Sequence, residues 1–410
     1  MCWVLTPDSG IVQTVRGLPH VAAALLLCSI SPLRVLAASS ESASAEYFVY
    51  IGTYTRNTSK GVYAFRFSSS TGKLTPLGLV AEIPSPSFLA IHPNGRFLYT
   101  SNEREYNEQM GTMVSSFAID PDTGRLTLLN RVASHGDGPA HVVIDRTGKS
   151  LIVANMRGGS VAVLPIRQDG TLGEATSVDV HHGGPGGDPA RQPGPRAHGT
   201  ALSPDNRFAV VSEHGMDRLM LYHFDAAKGA LTPNSPAFFQ EGPANAPWHL
   251  TFHPGGKTVY VVNELSATLS VYAFDKGTGG VRELQKVSTV PADFTGKSNP
   301  AEPRVDRAGK FLYVSNRDVS GKGQDSIAVY SIDASGGKVT PLEFVPSGGK
   351  TPRNIALDPG GSFLLAGNQG SNNLTVFRID SKTGRLTPTT QVMDVPEPTC
   401  IAFVAAKPAR

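Results

Sequence analysis

One phrase recurs along the chain at a nearly constant interval, and one copy of it is divided between the two ends. In its clearest form it runs Ser87-Phe-Leu-Ala-Ile-His-Pro-Asn-Gly-Arg-Phe-Leu-Tyr-Thr-Ser-Asn-Glu103. Further copies run from His249 to Glu264 and from Asn354 to Gln369, and degenerate ones start at Ala140, Ala197 and Pro303. The pivots Asn102, Asn155, Ser212, Asn263, Asn316 and Asn368 are 53, 57, 51, 53 and 52 residues apart, with Gly52 holding the same place 50 residues before Asn102. A period of about fifty residues restricts the chain to a propeller or a solenoid.

Each copy parses into four strands. Strand A (Phe88–Ile91) meets strand B (Phe97–Ser101) through the tight turn at 92–95, and strand C (Met113–Ile119) meets strand D through the turn at 120–124. Glycine at fixed places in these turns supplies the positive φ they need. The chain enters at a B strand, Tyr47–Gly52, and leaves through Pro398-Thr-Cys-Ile-Ala-Phe-Val404, which reads like the A strand Pro86–His92. The missing strand thus comes from the C-terminus and closes a ring, which a linear solenoid has no need of. The expectation is an all-β, seven-bladed β-propeller of four-stranded antiparallel blades over residues 46–405, with a tail at 406–410.

The first 45 residues differ from the rest. Arg16 precedes the apolar stretch Val21–Ile30, and Val35-Leu-Ala37 offers small residues for cleavage. This predicts a signal peptide over 1–38, a linker over 39–45, and a periplasmic or secreted product; without that signal the protein would be cytoplasmic. Pro32 and Arg34 interrupt the apolar run too early for a stable membrane span. Cys2 and Cys28 fall in the leader, so Cys400 alone remains, excluding an intramolecular disulfide or a cysteine-rich zinc site. With 37 Lys+Arg against 34 Asp+Glu, the charge balance argues against a nucleic-acid partner. A monomer is expected.

In such a blade, A starts and B ends on the same face of the ring, and the hairpin turns lie on the other. The A-strand starts give one ring of residues: Phe88, His141, His198, His249, Glu302, Arg353 and Thr399. The B-strand ends give another: Thr53, Glu103, Met156, Glu213, Glu264, Arg317 and Gln369. His, Glu and Arg converging on one mouth mark a ligand site, because crowded charges are tolerated when they pair or hold a ligand. His198, Glu264 and Arg317 are the candidate catalytic groups; Arg353, His249, Glu302 and His141 are the candidate substrate-binding groups. Asn102, Asn263, Asn316 and Asn368 read as backbone ties, and His92 and His253 as turn residues. The Gly/Pro-rich connection 181–196 reads as a wall or lid over the mouth. His181, His182 and Asp188 in it are a poor metal set, because adjacent histidines diverge in extended chain.

Five motifs in order make residues 46–405 resemble the lactonase family of seven-bladed propellers. They are Tyr50-Ile-Gly-Thr-Tyr54, Gln192-Pro-Gly-Pro-Arg-Ala-His198, Val262-Asn-Glu264, Tyr313-Val-Ser-Asn-Arg317 and Thr351-Pro-Arg353. That family includes propeller-type 6-phosphogluconolactonases and carboxy-cis,cis-muconate lactonising enzymes. The resemblance implies hydrolysis of a sugar lactone and points to His198, Glu264, Arg317 and Arg353. The chain departs from the family where Pro247-Trp248-His249 stands for a frequent Pro-Arg-His, and Glu302-Pro303-Arg304 for a Glu-Ile-His. These changes imply a different anionic group on the substrate, or none.

Lactone opening needs a base for water, which Glu264 or His198 supplies. It also needs a donor for the oxyanion, for which Arg317 is placed, and Arg353 suits a phosphate or carboxylate. Neither metal nor cofactor is called for, and the partner is a small lactone or sugar acid. The rivals are an exported propeller that only binds a ligand or protein, and a muconate-type lactonising enzyme.

Overall fold

The computed structural model describes residues 45–103 and 111–407. The leader expected at 1–38 lies outside them, as does all of the linker except Ala45. The described residues form seven four-stranded antiparallel sheets. Blade 2, for example, consists of Pro86–Ile91, Phe97–Glu103, Thr112–Ile119 and Leu126–Ala133, strands A to D in order. The A strands of blades 3 to 7 begin at Pro139, Ala197, Pro247, Ser298 and Pro352.

Blade 1 has the strand order Pro398–Ala405, Glu46–Thr53, Gly61–Ser68, Leu74–Glu82. Its innermost strand is the C-terminal one, with Tyr50 opposite Ala402 and Ile51 opposite Ile401. Each A strand packs against the A strands of both neighbouring blades, from blade 1 through blade 7 and back to blade 1. Closure therefore leaves no blade without its innermost strand. The core lies between sheets, where Phe48 and Tyr50 of blade 1 join Phe97 and Tyr99 of blade 2 and Leu151 and Val153 of blade 3.

Neighbouring blades are also tied by hydrogen bonds from buried tyrosines. Tyr50, Tyr99, Tyr260 and Tyr313 of the B strands donate to the carbonyls of Gly124, Gly170, Gly337 and Gly384, each in the C–D turn of the next blade. Each such bond contributes about 1 kcal/mol. Three of the four asparagines read as backbone ties bind backbone, whereas Asn263 donates instead to the Thr268 and Ser270 hydroxyls. Asn102, Asn316 and Asn368 donate to the carbonyls of Pro84, Thr289 and Ser347 in the preceding D–A connections.

Strand pairing corrects the repeat alignment in two blades. Asn102 pairs with Pro86, Asn155 with Pro139, and Asn263 with Pro247. In blade 1 the residue in that place is Thr53, opposite Pro398, and in blade 4 it is Glu213, opposite Ala197. Gly52 and Ser212 are thus one residue early. The residues that follow the true pivots are Tyr54 and His214, and both belong to the site.

Candidate active site

Every A strand is irregular at its first residues. Register shifts fall at Pro86/Phe88, Pro139/His141, Ala197/Thr200, Pro247/Leu250, Pro300/Pro303, Pro352/Asn354 and, in blade 1, opposite Gly52/Thr53. Bulges re-aim side chains. Here they let the first residue after the pivot partner (His198, Trp248, Arg353) join the B-strand ends. The second (Phe88, His141, His249, Glu302) packs around the axis.

The rim centres on Glu264, which is 3 % exposed. Its Oε2 accepts from His214 Nε2 at 2.8 Å and Arg191 at 3.2 Å, and its Oε1 from Arg317 at 3.0 Å and Asn299 at 3.1 Å. Burial pushes this carboxyl up, but His214, Arg317 and Arg191 outweigh it and bring it from 4.5 to about 2. Arg317 also donates from Nε to the Asn299 carbonyl. Burial draws its guanidinium down to about 10 against the pull of Glu264, so it stays cationic at neutral pH.

Trp248 forms the wall between two groups of polar residues. His198 stacks on it with ring centroids 3.4 Å apart, and the guanidinium carbons of Arg317 and Arg353 lie 5.0 and 5.6 Å from its centroid. Arg353 donates to the Tyr54 hydroxyl at 2.6 Å, and that hydroxyl donates to Glu103 at 2.9 Å. Burial first, then Glu103, raises the Tyr54 phenol far above its usual value, so it remains protonated.

His198 differs from the groups around it. It is 2 % exposed, and neither ring nitrogen has a hydrogen-bond partner among the described residues. Burial, then His249, His214 and Arg353, hold its pKa well below 6.5, so the ring is neutral. One nitrogen is therefore free to accept and the other to donate.

His249, Glu302 and His141 form a layer next to the rim. His249 Nδ1 lies 2.7 Å from Glu302 Oε2, and Glu302 also receives Asn354 at 2.8 Å and Arg304 at 3.1 Å. Phe88 lies tilted against His141 with centroids 4.0 Å apart and meets His249 edge-on. Phe88, His141 and Glu302 also line a cavity of about 600 Å³ that reaches the A–B turns at Pro93, Arg146 and Pro204. Of the candidates named from the sequence, His198, Glu264, Arg317 and Arg353 thus gather at the rim. His249 stands between them and the cavity side, where His141 and Glu302 lie.

The connection 181–196 reaches the rim through Arg191. It is anchored by Asp217, a left-handed residue (φ 53°) whose carboxylate accepts from the Gly187, Ala244 and Ala246 amides and from Gln192. His181 meets Glu213 through Nδ1 and the Tyr222 hydroxyl through Nε2. Tyr54, His214, Trp248, Asn299 and Arg191 were not among the sequence candidates. For the first two, the signal was the proline that pairs with each pivot, which places the strand end one residue later in blade 1; in blade 4 alanine replaces that proline and hides it.

Residues 48–403 match the family model described as lactonase, 7-bladed beta-propeller. The chain belongs to the seven-bladed lactonase family. This lactonase is accordingly a hydrolase of cyclic esters. It is 34 % identical over 359 residues to a 6-phosphogluconolactonase of Bacillus subtilis, covering 88 % of this chain and 99 % of that one. A 6-phosphogluconolactonase of Formosa agariphila is 32 % identical, over 82 % of this chain and 94 % of that one. Among solved structures, the periplasmic gluconolactonase of Pseudomonas aeruginosa superimposes with a TM-score of 0.82 at 31 % identity, covering 88 % of this lactonase and all of that chain.

Proposed function

We propose that this lactonase opens a six-membered sugar lactone at the rim, with His198 as the base that activates water. The observation that carries this reading is His198 itself: buried, neutral, without a partner at either nitrogen among the described residues, and stacked on Trp248, which Arg317 and Arg353 also approach. Glu264 suits the base role less well, since four donors already occupy its two oxygens. Its part is to hold Arg317 and His214 in place.

Water bonds to the carbonyl carbon as one of its protons passes to His198. The developing oxyanion draws on Arg317 or Arg353, whose charge is fixed before the reaction begins. Collapse breaks the bond from the carbonyl carbon to the ring oxygen, which takes the proton back from His198. The acid product then ionises, releasing one proton per turnover. The two guanidiniums beside Trp248 suit an anionic substituent or the developing carboxylate. A leader over residues 1–38 would deliver the enzyme outside the cytoplasm, where an unphosphorylated aldonolactone is the fitting substrate.

The test is a panel assay on purified protein with glucono-1,5-lactone, its 6-phosphate and carboxymuconate, each corrected for spontaneous turnover. Acceleration of the sugar lactones and not of the diacid is the expected result. No acceleration of either sugar lactone would contradict the reading and favour a binding protein. Sequencing the N-terminus of the mature protein tests the leader.

A further inference from the structure

The ring axis carries a column of imidazoles whose hydrogen-bonding capacity is only partly used. His198, His249 and His141 follow one another with ring centroids 5.0 Å apart at each step. The ionised Glu302 carboxylate can only accept, so His249 Nδ1 carries a proton and its Nε2, in the neutral ring, is an acceptor. That Nε2, both nitrogens of His198 and Nδ1 of His141 are buried and without a partner among the described residues. Leaving such an atom bare costs about 1–3 kcal/mol. Four of them in one contiguous column of packed rings, with no direct hydrogen bond from ring to ring among the described residues, require a water or a small ring movement for any hand-over of a proton. The column ends at the cavity of about 600 Å³ that His141, Glu302 and Arg304 line on the hairpin-turn side.

We propose that His249, backed by Glu302, takes the proton of lactone opening from His198 and passes it by way of His141 to the cavity on the opposite face. The inference rests on the lactone-opening reading above. A lactone seated at the mouth blocks the route past itself, whereas the imidazole column leads away from it. Each turnover converts lactone and water into a sugar-acid anion and one proton. His198, whose first proton has returned to the ring oxygen, takes up the proton that the acid product releases and hands it to His249 Nε2, giving an imidazolium paired with Glu302. The proton then leaves from the same Nε2 through His141 to cavity water, so the ring returns to its starting tautomer and no other reactant is consumed. Glu302 stays ionised throughout, held by Arg304 and Asn354. His249 and Glu302 are thus positioning residues that act through His198.

The experiment compares wild type with His249→Gln on glucono-1,5-lactone at fixed pH while imidazole buffer is varied, with background hydrolysis subtracted. Wild-type kcat is expected to be independent of buffer concentration. His249→Gln should lose at least about tenfold in kcat in dilute buffer, keep its KM, and regain most of the loss in concentrated imidazole. Glu302→Gln, which keeps an amide against His249 and Asn354, should show the same recoverable loss and serves if His249→Gln does not fold. Unchanged kcat in dilute buffer, or a loss that imidazole leaves untouched, overturns the relay alone. A wild-type enzyme inert towards sugar lactones overturns the lactone reading, and the relay with it.

Discussion

The imidazole of His198 lies against the indole of Trp248 with ring centroids 3.4 Å apart and planes 30° from parallel. Gly199, next in the chain, makes this approach of blades 4 and 5 possible. A Cβ there would stand 2.5 Å from the Trp248 carbonyl oxygen, which the Ser212 hydroxyl also reaches. His198, whose ring nitrogens have no partner among the described residues, and the two arginines are therefore organised around one aromatic side chain.

Trp248→Ala removes that support. It should cost about 3–5 kcal/mol of stability through the cavity alone. It should also lower kcat by releasing His198, Arg317 and Arg353 together. Trp248→Phe keeps an aromatic face and should retain most of the activity. Thermal unfolding and steady-state kinetics on the two variants check this; equal kcat in Trp248→Ala and wild type would show that the stack does not position the base.

Glu264 ties stability to pH. Its folded pKa of about 2 lies below its ordinary 4.5, so the folded state binds fewer protons than the unfolded one between those values. The contribution is present above pH 4.5 and is lost as the pH falls towards 2. A difference of about 2.5 units corresponds to about 3 kcal/mol. Glu264→Gln should lower the unfolding free energy at pH 7, leaving buried Arg317 without its counter-charge, and flatten the fall in acid. Denaturant unfolding of both proteins from pH 7 to pH 3 measures it.

Ring closure predicts the effect of a truncation. Ending the chain before Pro398 strips blade 1 of its inner strand and uncovers Val49 and Ile51, both fully buried. The shortened protein should be insoluble or unfolded by circular dichroism. A soluble, cooperatively folding product would mean that the C-terminal strand is dispensable.

Much of this was legible in the sequence, for identifiable reasons. Turn glycines and the period of about fifty residues fix the blades, and the divided copy fixes the closure. Side chains at the strand ends were less legible. One residue of bulge separates His198, Trp248 and Arg353 from the layer of His141, His249 and Glu302, and no periodicity encodes it. The same slip hid His214 behind Glu213, which occupies the place of an asparagine and does the same work, tying the connection through His181 and the Arg196 amide. Arg191 reaches Glu264 through a non-repeating connection, where position follows from tertiary contacts alone.

His198 as the proposed base predicts a pH profile. Burial, then the neighbouring imidazoles and Arg353, hold its pKa well below 6.5. As a base it works when unprotonated, so kcat/KM should be flat through neutrality and fall only in acid well below pH 6.5. A profile that instead rises through pH 6.5 would mean that a group with an ordinary imidazole pKa is the base.

The most direct measurement is the turnover of His198→Gln on the sugar lactone that wild type opens fastest, corrected for spontaneous hydrolysis. A drop in kcat of at least about a hundredfold with KM largely kept is expected of a lost general base. Turnover equal to wild type would contradict the assignment of His198 as the group that activates water.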